Sequence, residues 1–234
     1  MKYAVITGAT RGIGKAIGEK LLAEGFSLAV CARTKKDLVA LEKKWKVAYP
    51  AATIIVYRAD VGNKDEVTGF GDAVLSKFPR VDILVNNAGV YMQGLFEGER
   101  EERFETVMRI NLYSAYYLTR QLLPVMKKKK SGHIFNMCSV ASLKAYPGGG
   151  IYGISKYALL GFSENLREEL RPHLIKVTSL CLGATDTDTW EGSGIPAERM
   201  MAADDVADTV WSVYNLSKGA NADTIIMRPV KGDL

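Results

Sequence analysis

The sequence predicts an α/β protein whose core is a doubly wound parallel sheet with helices on both faces. Short, almost continuously apolar runs alternate with longer amphipathic runs along all 234 residues. Strands of this kind, separated by helices, are typical of parallel sheets that are covered on both sides. No repeat, low-complexity tract or Pro/Ser-rich linker divides the chain. We therefore predict one domain, residues 1–234, wound by right-handed crossovers.

The apolar runs give the strands and the amphipathic runs give the helices. The predicted strands are Lys2–Thr7, Ser27–Arg33, Thr53–Arg58, Val81–Val85, His133–Cys138, Lys176–Leu182 and Asp223–Met227. The predicted helices are Gly12–Glu24, Lys35–Ala48, Asn63–Phe78, Glu101–Lys130, Ile151–Leu170 and Ala203–Leu216. The least regular segment follows the sixth strand, at the sheet edge where such proteins bind ligands. We expect a substrate loop there, at about residues 183–203.

Composition excludes several classes of protein. The chain is 47% hydrophobic and 24% charged, which is ordinary for a globular domain. No run of about 18 apolar residues is present, and residues 1–8 lack the pattern of a signal peptide. Three scattered cysteines and two distant histidines predict neither a disulfide framework nor a metal site. We expect reducing, cytoplasmic surroundings and no membrane partner.

The net charge of +5 includes the run Lys127–Lys130. This run closes a long helical pattern, and cations at a helix C-terminus are favoured by the helix dipole. We therefore expect no nucleic-acid partner. A basic protein also suits an anionic cofactor or substrate.

The segment TGATRGIG, residues 7–14, joins the first strand to the first helix. Its glycines permit a tight turn and a close approach of the backbone to a ligand. The helix N-terminus then offers unpaired N–H groups to phosphate. The segment predicts a dinucleotide phosphate site formed by Gly8, Thr10, Arg11, Gly12, Ile13 and Gly14.

This T-G-x-x-x-G-x-G pattern resembles the short-chain dehydrogenase/reductase family. Further motifs support the resemblance over essentially the whole chain: Asp60-Val61, Asn86-Asn87-Ala88-Gly89, Asn111, Ser139, Tyr152 and Lys156, in the family's order and spacing. The resemblance implies a single Rossmann-type domain with about seven parallel strands. It implies an oxidoreductase that binds NAD or NADP, acts on a small carbonyl compound, and forms homodimers or homotetramers.

The end of the second strand predicts the choice of nicotinamide cofactor. An acidic residue there would bind the ribose hydroxyls and repel a 2′-phosphate. Here the position holds Ala32, followed by Arg33, and Arg11 lies in the glycine turn. Guanidinium groups pair with a dianionic phosphate, so we predict NADPH. The resemblance adds further contacts from Asp60, Val61, Asn86, Ala88, Gly89, Gly183, Thr185 and Thr187.

Tyr152 and Lys156 lie four residues apart, which places them on one face of a helix. Taken alone, the pair fits an exposed helix with a half-buried tyrosine. A nearby ammonium lowers a phenol pKa, and a tuned tyrosine can exchange a proton with a carbonyl oxygen. We predict Tyr152 as general acid and base, and Ser139 as hydrogen-bond partner of the substrate oxygen. The resemblance implies that Lys156 also holds the nicotinamide ribose and that Asn111 holds a relay water.

One segment departs from the family pattern. After the sixth strand the family usually has Pro-Gly, whereas this chain has Leu182-Gly183. Thr185 stands where an aliphatic residue is common, while Thr187 matches. We expect cofactor binding to be retained. The sequence does not predict how rigid this loop is.

The sequence leaves the substrate open. Candidate pocket residues, which could equally be core or lid packing, are Tyr91, Met92, Tyr146, Trp190, Met200 and Met201. The stretch HIFNMCSVASLKAY, Trp190 and the ending MRPVKGDL resemble bacterial sepiapterin-reductase-type members of the family. This favours a pterin diketone or another small dicarbonyl. A 3-oxoacyl thioester reductase is the alternative, and sugar, steroid and other carbonyl substrates stay open.

Two further expectations concern the protein as a whole. Some relatives bind a dinucleotide without catalysis, as regulators, but they typically lack the Tyr/Lys pair that is present here. Residues that could supply an oligomer face, or pack inward, are Tyr113, Tyr116, Tyr117, Leu160 and Phe162.

Overall fold

The sheet of the computed structural model contains seven strands, and the structure describes residues 1–190 and 192–234. The strands are β1 Lys2–Thr7, β2 Phe26–Ala32, β3 Ile54–Arg58, β4 Ile83–Asn86, β5 Gly132–Ser139, β6 Ile175–Leu182 and β7 Thr224–Met227. Their order across the sheet is β3-β2-β1-β4-β5-β6-β7, and every neighbouring pair is parallel. The predicted doubly wound parallel sheet is confirmed.

In the described ranges, seven α-helices cover the two faces of this sheet. They are α1 Gly12–Ala23, α2 Lys35–Ala48, α3 Lys64–Lys77, α4 Glu101–Met108, α5 Ser114–Lys129, α6 Gly150–Leu170 and α7 Ala203–Tyr214. Alternate residues of β1 face opposite sides: Ala4 and Ile6 join a core with α1, α2 and α7, while Val5 joins a core with α3, α5 and α6. This division explains the nearly unbroken apolar strands, because both faces of the sheet are buried.

The predicted long helix Glu101–Lys130 is interrupted. A π-helical turn, Arg109–Tyr113, separates α4 from α5, and the backbone N–H of Ser114 donates to the carbonyl of Arg109, five residues earlier. Such turns insert one extra residue and are frequent at functional sites. Asn111 lies inside this turn.

The strand order reverses direction between β1 and β4, since β2 and β3 lie on one side of β1 and β4 to β7 on the other. Doubly wound sheets bind ligands in the crevice at the carboxyl ends of the strands flanking such a point. Within the described residues, no helix is both long enough and apolar enough to cross a membrane. The same residues contain no group of three metal-ligating side chains that could hold an ion.

Candidate active site

A cavity of about 1010 Å³ opens at this edge of the sheet. It runs from the glycine turn and Arg33 to Tyr152 and Trp190. The predicted site residues that line it are Gly8, Thr10, Arg11, Gly12, Ile13, Arg33, Asp60, Val61, Ala88, Gly89, Ser139, Tyr152, Lys156, Gly183, Thr185 and Thr187. Gly14, Asn86 and Asn111 are not on its wall. The cavity therefore joins the predicted cofactor and catalytic residues in one space.

The glycine turn is held by close backbone packing. Gly8 and Gly12 have φ angles of +68° and +52°, which favour glycine. A Cβ on Gly14 would lie 2.5 Å from Asn87 Nδ2 and even closer to the carbonyl oxygen of Gly8. Asn87 Nδ2 donates to the carbonyl oxygens of Thr7 and Gly8, each at 2.9 Å. Gly14 thus permits the packing that shapes the turn, without lining the cavity.

Asn86 is not on the cavity wall. Its Nδ2 donates to Thr119 Oγ1 at 3.0 Å and to Asn136 Oδ1 at 2.7 Å, inside the buried core. The Asn86 side chain therefore belongs to a polar network within the fold, and a contact between Asn86 and the cofactor remains a prediction. The next residue, Asn87, lines the cavity and braces the turn instead. Adjacent side chains at the end of a strand point to opposite faces of the sheet. The motif alone therefore does not tell which asparagine faces the core and which faces the cavity.

The end of the cavity beside Ala32 and the glycine turn, where the adenosine of the cofactor is predicted, combines cations and carboxylates. Arg33 and Asp37 line the cavity just beyond Ala32, the last residue of β2. Arg11 Nη1 lies 2.8 Å from Asp188 Oδ2 in an exposed ion pair. No described acidic residue forms an ion pair with Arg33. Both arginines were predicted from the sequence, but neither carboxylate was. Asp188 could not be predicted because it comes from a loop 177 residues away from Arg11.

Ser139, Tyr152 and Lys156 all line the cavity. Ser139 is the last residue of β5, and its Oγ accepts a hydrogen bond from the N–H of Ala141 at 3.2 Å. Lys156 is buried and its Nζ donates to the carbonyl oxygen of Met137 at 2.7 Å. The same Nζ lies 5.8 Å from the centroid of the Tyr152 ring. The predicted four-residue spacing therefore does place phenol and ammonium side by side.

The direction of the Tyr152 pKa differs from the prediction. Burial raises the pKa of Tyr152 to about 12, while the Ser139 hydroxyl acts in the opposite direction. Burial also lowers the pKa of Lys156. The prediction rests on the ammonium alone, whereas desolvation disfavours the charged form of each group and is the larger effect here. In the protein alone, Tyr152 is thus a protonated phenol at neutral pH.

Asn111 acts on the backbone beside the cavity. Its Oδ1 accepts from the N–H of Val90 at 2.8 Å, and its Nδ2 donates to the carbonyl oxygen of Val90 at 3.0 Å and to Ser155 Oγ at 2.9 Å. A Cβ on Gly89 would lie 3.4 Å from Asn111 Oδ1 and 3.5 Å from Lys156 Nζ. Asn111 is therefore a neighbour of Lys156 across Gly89. The relay water remains a prediction.

Three loops form the other end of the cavity, beside Tyr152, which we name the substrate end because the predicted pocket residues lie there. Tyr91, Met92, Tyr146 and Trp190 line the cavity. Met201 does not: it is buried in the core and pairs with Thr185 in an isolated bridge. Met200 is also off the wall. The loop predicted at about residues 183–203 lies between β6 and α7, and its described residues contain the short 3-10 turns Asp188–Trp190 and Ala197–Arg199. Glu191, within that prediction, lies outside the described residues.

Comparison with known proteins agrees with this geometry. The family model for short chain dehydrogenases matches residues 2–195. An uncharacterized oxidoreductase of Staphylococcus epidermidis is 30% identical over 98% of this chain and 97% of its own length. Sepiapterin reductase of Chlorobaculum tepidum is 30% identical over 100% of this chain and 99% of its own length. A 3-oxoacyl-[acyl-carrier-protein] reductase of Synechocystis is 33% identical over 89% and 87%.

Solved structures share the whole fold. An alcohol dehydrogenase of Thermococcus sibiricus, complexed with 5-hydroxy-NADP, superposes with a TM-score of 0.91 at 29% identity, covering 98% of this chain and 97% of its own. A metagenomic short-chain oxidoreductase in complex with NADP has a TM-score of 0.84 at 30% identity, with 98% and 97% covered.

Proposed function

This chain is an oxidoreductase of the short-chain dehydrogenase family, and on that premise we propose that it transfers hydride between NADPH and a carbonyl or alcohol substrate. One observation carries the proposal: Ser139, Tyr152 and Lys156 share a single cavity with the glycine turn of residues 7–14. A dinucleotide seated on the turn would reach the catalytic groups without any rearrangement of the sheet. A binding module without catalysis would not need a tyrosine beside a buried lysine.

The chain's residues supply the proton chemistry. Bound NADPH would provide the hydride that adds to the carbonyl carbon. Tyr152 gives its phenol proton to the carbonyl oxygen, and the Ser139 hydroxyl donates a hydrogen bond to the same oxygen. The raised pKa keeps Tyr152 protonated at neutral pH, which suits reduction. Lys156 in its ammonium form stabilises the phenolate left behind.

The cavity fits a phosphorylated dinucleotide. Gly8 and Gly12 line the cavity without side chains, and no acidic residue lies in the first turn of α1. Arg33, which has no acidic partner among the described residues, is available to pair with a 2′-phosphate. Two similar proteins of known structure contain NADP or 5-hydroxy-NADP, which supports the same cofactor here. Asp60, Val61, Ala88, Gly89, Thr185 and Thr187 are the further proposed contacts.

For the substrate we favour a small dicarbonyl, such as a pterin side-chain diketone. The aromatic wall of Tyr91, Tyr146 and Trp190 suits a flat molecule, and the similarity to a sepiapterin reductase supports this class. The alternative, a 3-oxoacyl thioester, is supported by another relative. An acidic carrier would need a basic surface beside the cavity. The adjoining segment 96–105 instead contains five glutamates and two arginines.

We also propose a homodimer or homotetramer whose subunits contact one another through the exposed faces of α5 and α6. Tyr116, Ile154 and Tyr157 are 42%, 42% and 45% exposed. Tyr116 continues an aromatic cluster with Tyr117 and Phe162. Partly exposed aromatic residues are enriched in protein interfaces.

Consumption of NADPH and of NADH should be followed with a carbonyl panel: a pterin diketone, a 3-oxoacyl thioester, simple diketones and a quinone. We expect turnover with NADPH, and a loss of about 10³-fold or more in Tyr152→Phe, the upper part of the range for general acid catalysis. Tyr152→Phe should still bind NADPH. Turnover that survives in the variant would contradict the acid/base role, and a preference for NADH would contradict the cofactor.

A further inference from the structure

The substrate end contains more hydroxyl groups than one carbonyl can use. Ser139, Tyr152, Tyr91 and Tyr146 all line the cavity. A carbonyl oxygen accepts two hydrogen bonds through its two lone pairs, and in the proposed reaction Ser139 and Tyr152 supply both. The hydroxyls of Tyr91 and Tyr146 therefore have no role in binding the reacting oxygen. Ligand pockets usually contain only a few polar groups, and these groups fix the orientation of the ligand.

Tyr91 is held against the catalytic tyrosine. Its ring packs edge-to-face on Tyr152, with centroids 4.8 Å apart and an interplanar angle of 85°. Trp190 lies on it from the loop after β6, with centroids 6.1 Å apart. Asn111 fixes the preceding residue, Val90, through hydrogen bonds to both its N–H and its carbonyl oxygen. The position of Tyr91 is thus set by elements from three parts of the chain.

Tyr146 is positioned by the run Gly148–Gly150. The N–H of Gly149 donates to the carbonyl oxygen of Tyr146 at 3.0 Å, and a Cβ on Gly149 would lie 2.9 Å from the Tyr146 ring. The N–H of Gly94 donates to the carbonyl oxygen of Gly148 at 3.1 Å. A Cβ on Gly150 would lie 2.5 Å from the carbonyl oxygen of Gly94. These contacts join the loop that carries Tyr146 to the loop that carries Tyr91.

The side chains of Tyr91 and Tyr146 both line the cavity together with Tyr152. Burial and the Tyr91 hydroxyl raise the pKa of Tyr146. The edge-to-face packing of Tyr91 on Tyr152 places a second phenol directly beside the catalytic one. A neutral phenol can donate a hydrogen bond to a second carbonyl oxygen or accept one from a hydroxyl group.

We propose that Tyr91 and Tyr146 are specificity-determining residues, which bind an oxygen on the carbon next to the reacting carbonyl. The inference rests on the proposed function. Because Tyr91 contacts Tyr152 directly, the second oxygen must lie close to the first one. The preferred substrates are then 1,2-dicarbonyl and α-hydroxycarbonyl compounds, not simple ketones. A site built to hydrogen-bond a substrate oxygen discriminates strongly against the analogue that lacks it.

The test uses three compounds with one carbon skeleton: 1-phenylpropane-1,2-dione, 2-hydroxy-1-phenylpropan-1-one and 1-phenylpropan-1-one. The kcat/KM of each is measured with NADPH for the wild type, Tyr91→Phe and Tyr146→Phe. Comparing variant with wild type on each compound cancels the greater intrinsic reactivity of the dione. We expect each variant to lose about 10- to 100-fold on the two compounds with a second oxygen, and less than about two-fold on the simple ketone.

Tyr49→Phe is the matched control, since Tyr49 follows the C-terminus of α2 and does not line the cavity; it should leave all three values unchanged. An equal loss of kcat/KM on all three compounds would show that Tyr91 and Tyr146 have only a structural role, and would overturn the inference. Unchanged kcat/KM values on all three compounds would overturn it as well. A wild-type protein that reduces none of the three with NADPH or NADH would instead contradict the proposed reaction itself.

Discussion

The two ends of the cavity are built in different ways. At the cofactor end, the glycine turn is backbone packed against backbone, with Asn87 bridging the carbonyl oxygens of Thr7 and Gly8. At the substrate end, side chains from three separate loops meet, as Tyr91, Tyr146 and Trp190 do. A backbone-built site depends on a few small residues at fixed spacing. A side-chain-built site depends on how distant loops pack, so its ligand can change while the fold stays the same.

The largest effect is expected where the backbone packing is tightest. In Gly14→Ala, the added Cβ would lie 2.5 Å from Asn87 Nδ2 and closer still to the carbonyl oxygen of Gly8, so the turn must shift. We expect a decrease of about 2–3 kcal/mol in the free energy of unfolding, as for other overpacked sites, and loss of measurable NADPH binding. Denaturant titration and cofactor titration measure the two effects.

The same substitution in open space is the control for Gly14→Ala. An alanine Cβ at Gly161, in α6, would meet no neighbouring side chain or loop within 4 Å in the part of the chain that the structure describes. Gly161→Ala should raise the free energy of unfolding by about 0.5–1 kcal/mol, the usual helix preference for alanine over glycine. If both variants bind NADPH as the wild type does, the cofactor end is not built on backbone packing.

The next effect separates the two cofactors. Arg33→Ala should weaken NADPH binding by about 10- to 100-fold, which corresponds to the 1.5–3 kcal/mol of a hydrogen bond to a charged group. NADH binding should change by less than about two-fold. Arg11→Ala should have a smaller effect, because Asp188 already pairs with Arg11. The measurement is the Kd of each cofactor.

The control for Arg33 is Arg171→Ala, an arginine that is 77% exposed after α6 and distant from the cavity. It should leave both Kd values unchanged. Equal weakening of NADPH and NADH in Arg33→Ala would contradict a role in binding the 2′-phosphate.

At the substrate end, Trp190→Ala should raise the KM for an aromatic dicarbonyl about ten-fold, since loss of an aromatic contact of roughly 1.4 kcal/mol is expected. The Kd for NADPH should stay within about two-fold. Phe96→Ala is the control, because Phe96 is 79% exposed and is not on the cavity wall. If Trp190→Ala weakens the cofactor and leaves the KM unchanged, Trp190 belongs to the cofactor end.

The division between the two ends also explains what the sequence could predict. The alternation of strands and helices and the glycine turn follow from local patterns, and most predicted cofactor contacts do line the cavity. Asn86 and Asn87 could not be separated, because their roles depend on which face of β4 each side chain takes. The π-helical turn at Asn111 has the same apolar pattern as a regular helix.

The remaining differences come from contacts between distant loops. Met201 belongs to the core through its bridge with Thr185, and Asp188 reaches Arg11 across the cavity. Neither contact has a sequence signal, since each joins residues whose separation is set by the tertiary fold. The Tyr152 pKa was also out of reach, because desolvation depends on burial and not on spacing.

The smallest expected effect tests that pKa directly. Reduction requires Tyr152 to be protonated, and burial raises its pKa to about 12, far above neutral pH. The kcat for carbonyl reduction should therefore change by less than about two-fold between about pH 6 and 8. Oxidation of the product alcohol requires the phenolate, whose fraction increases as the pH rises toward the pKa, so its rate should rise over the same range. A reduction rate that falls between neutral pH and pH 8 would mean that the ammonium of Lys156 outweighs burial. The pKa of Tyr152 would then be lowered, as the four-residue spacing from Lys156 predicts.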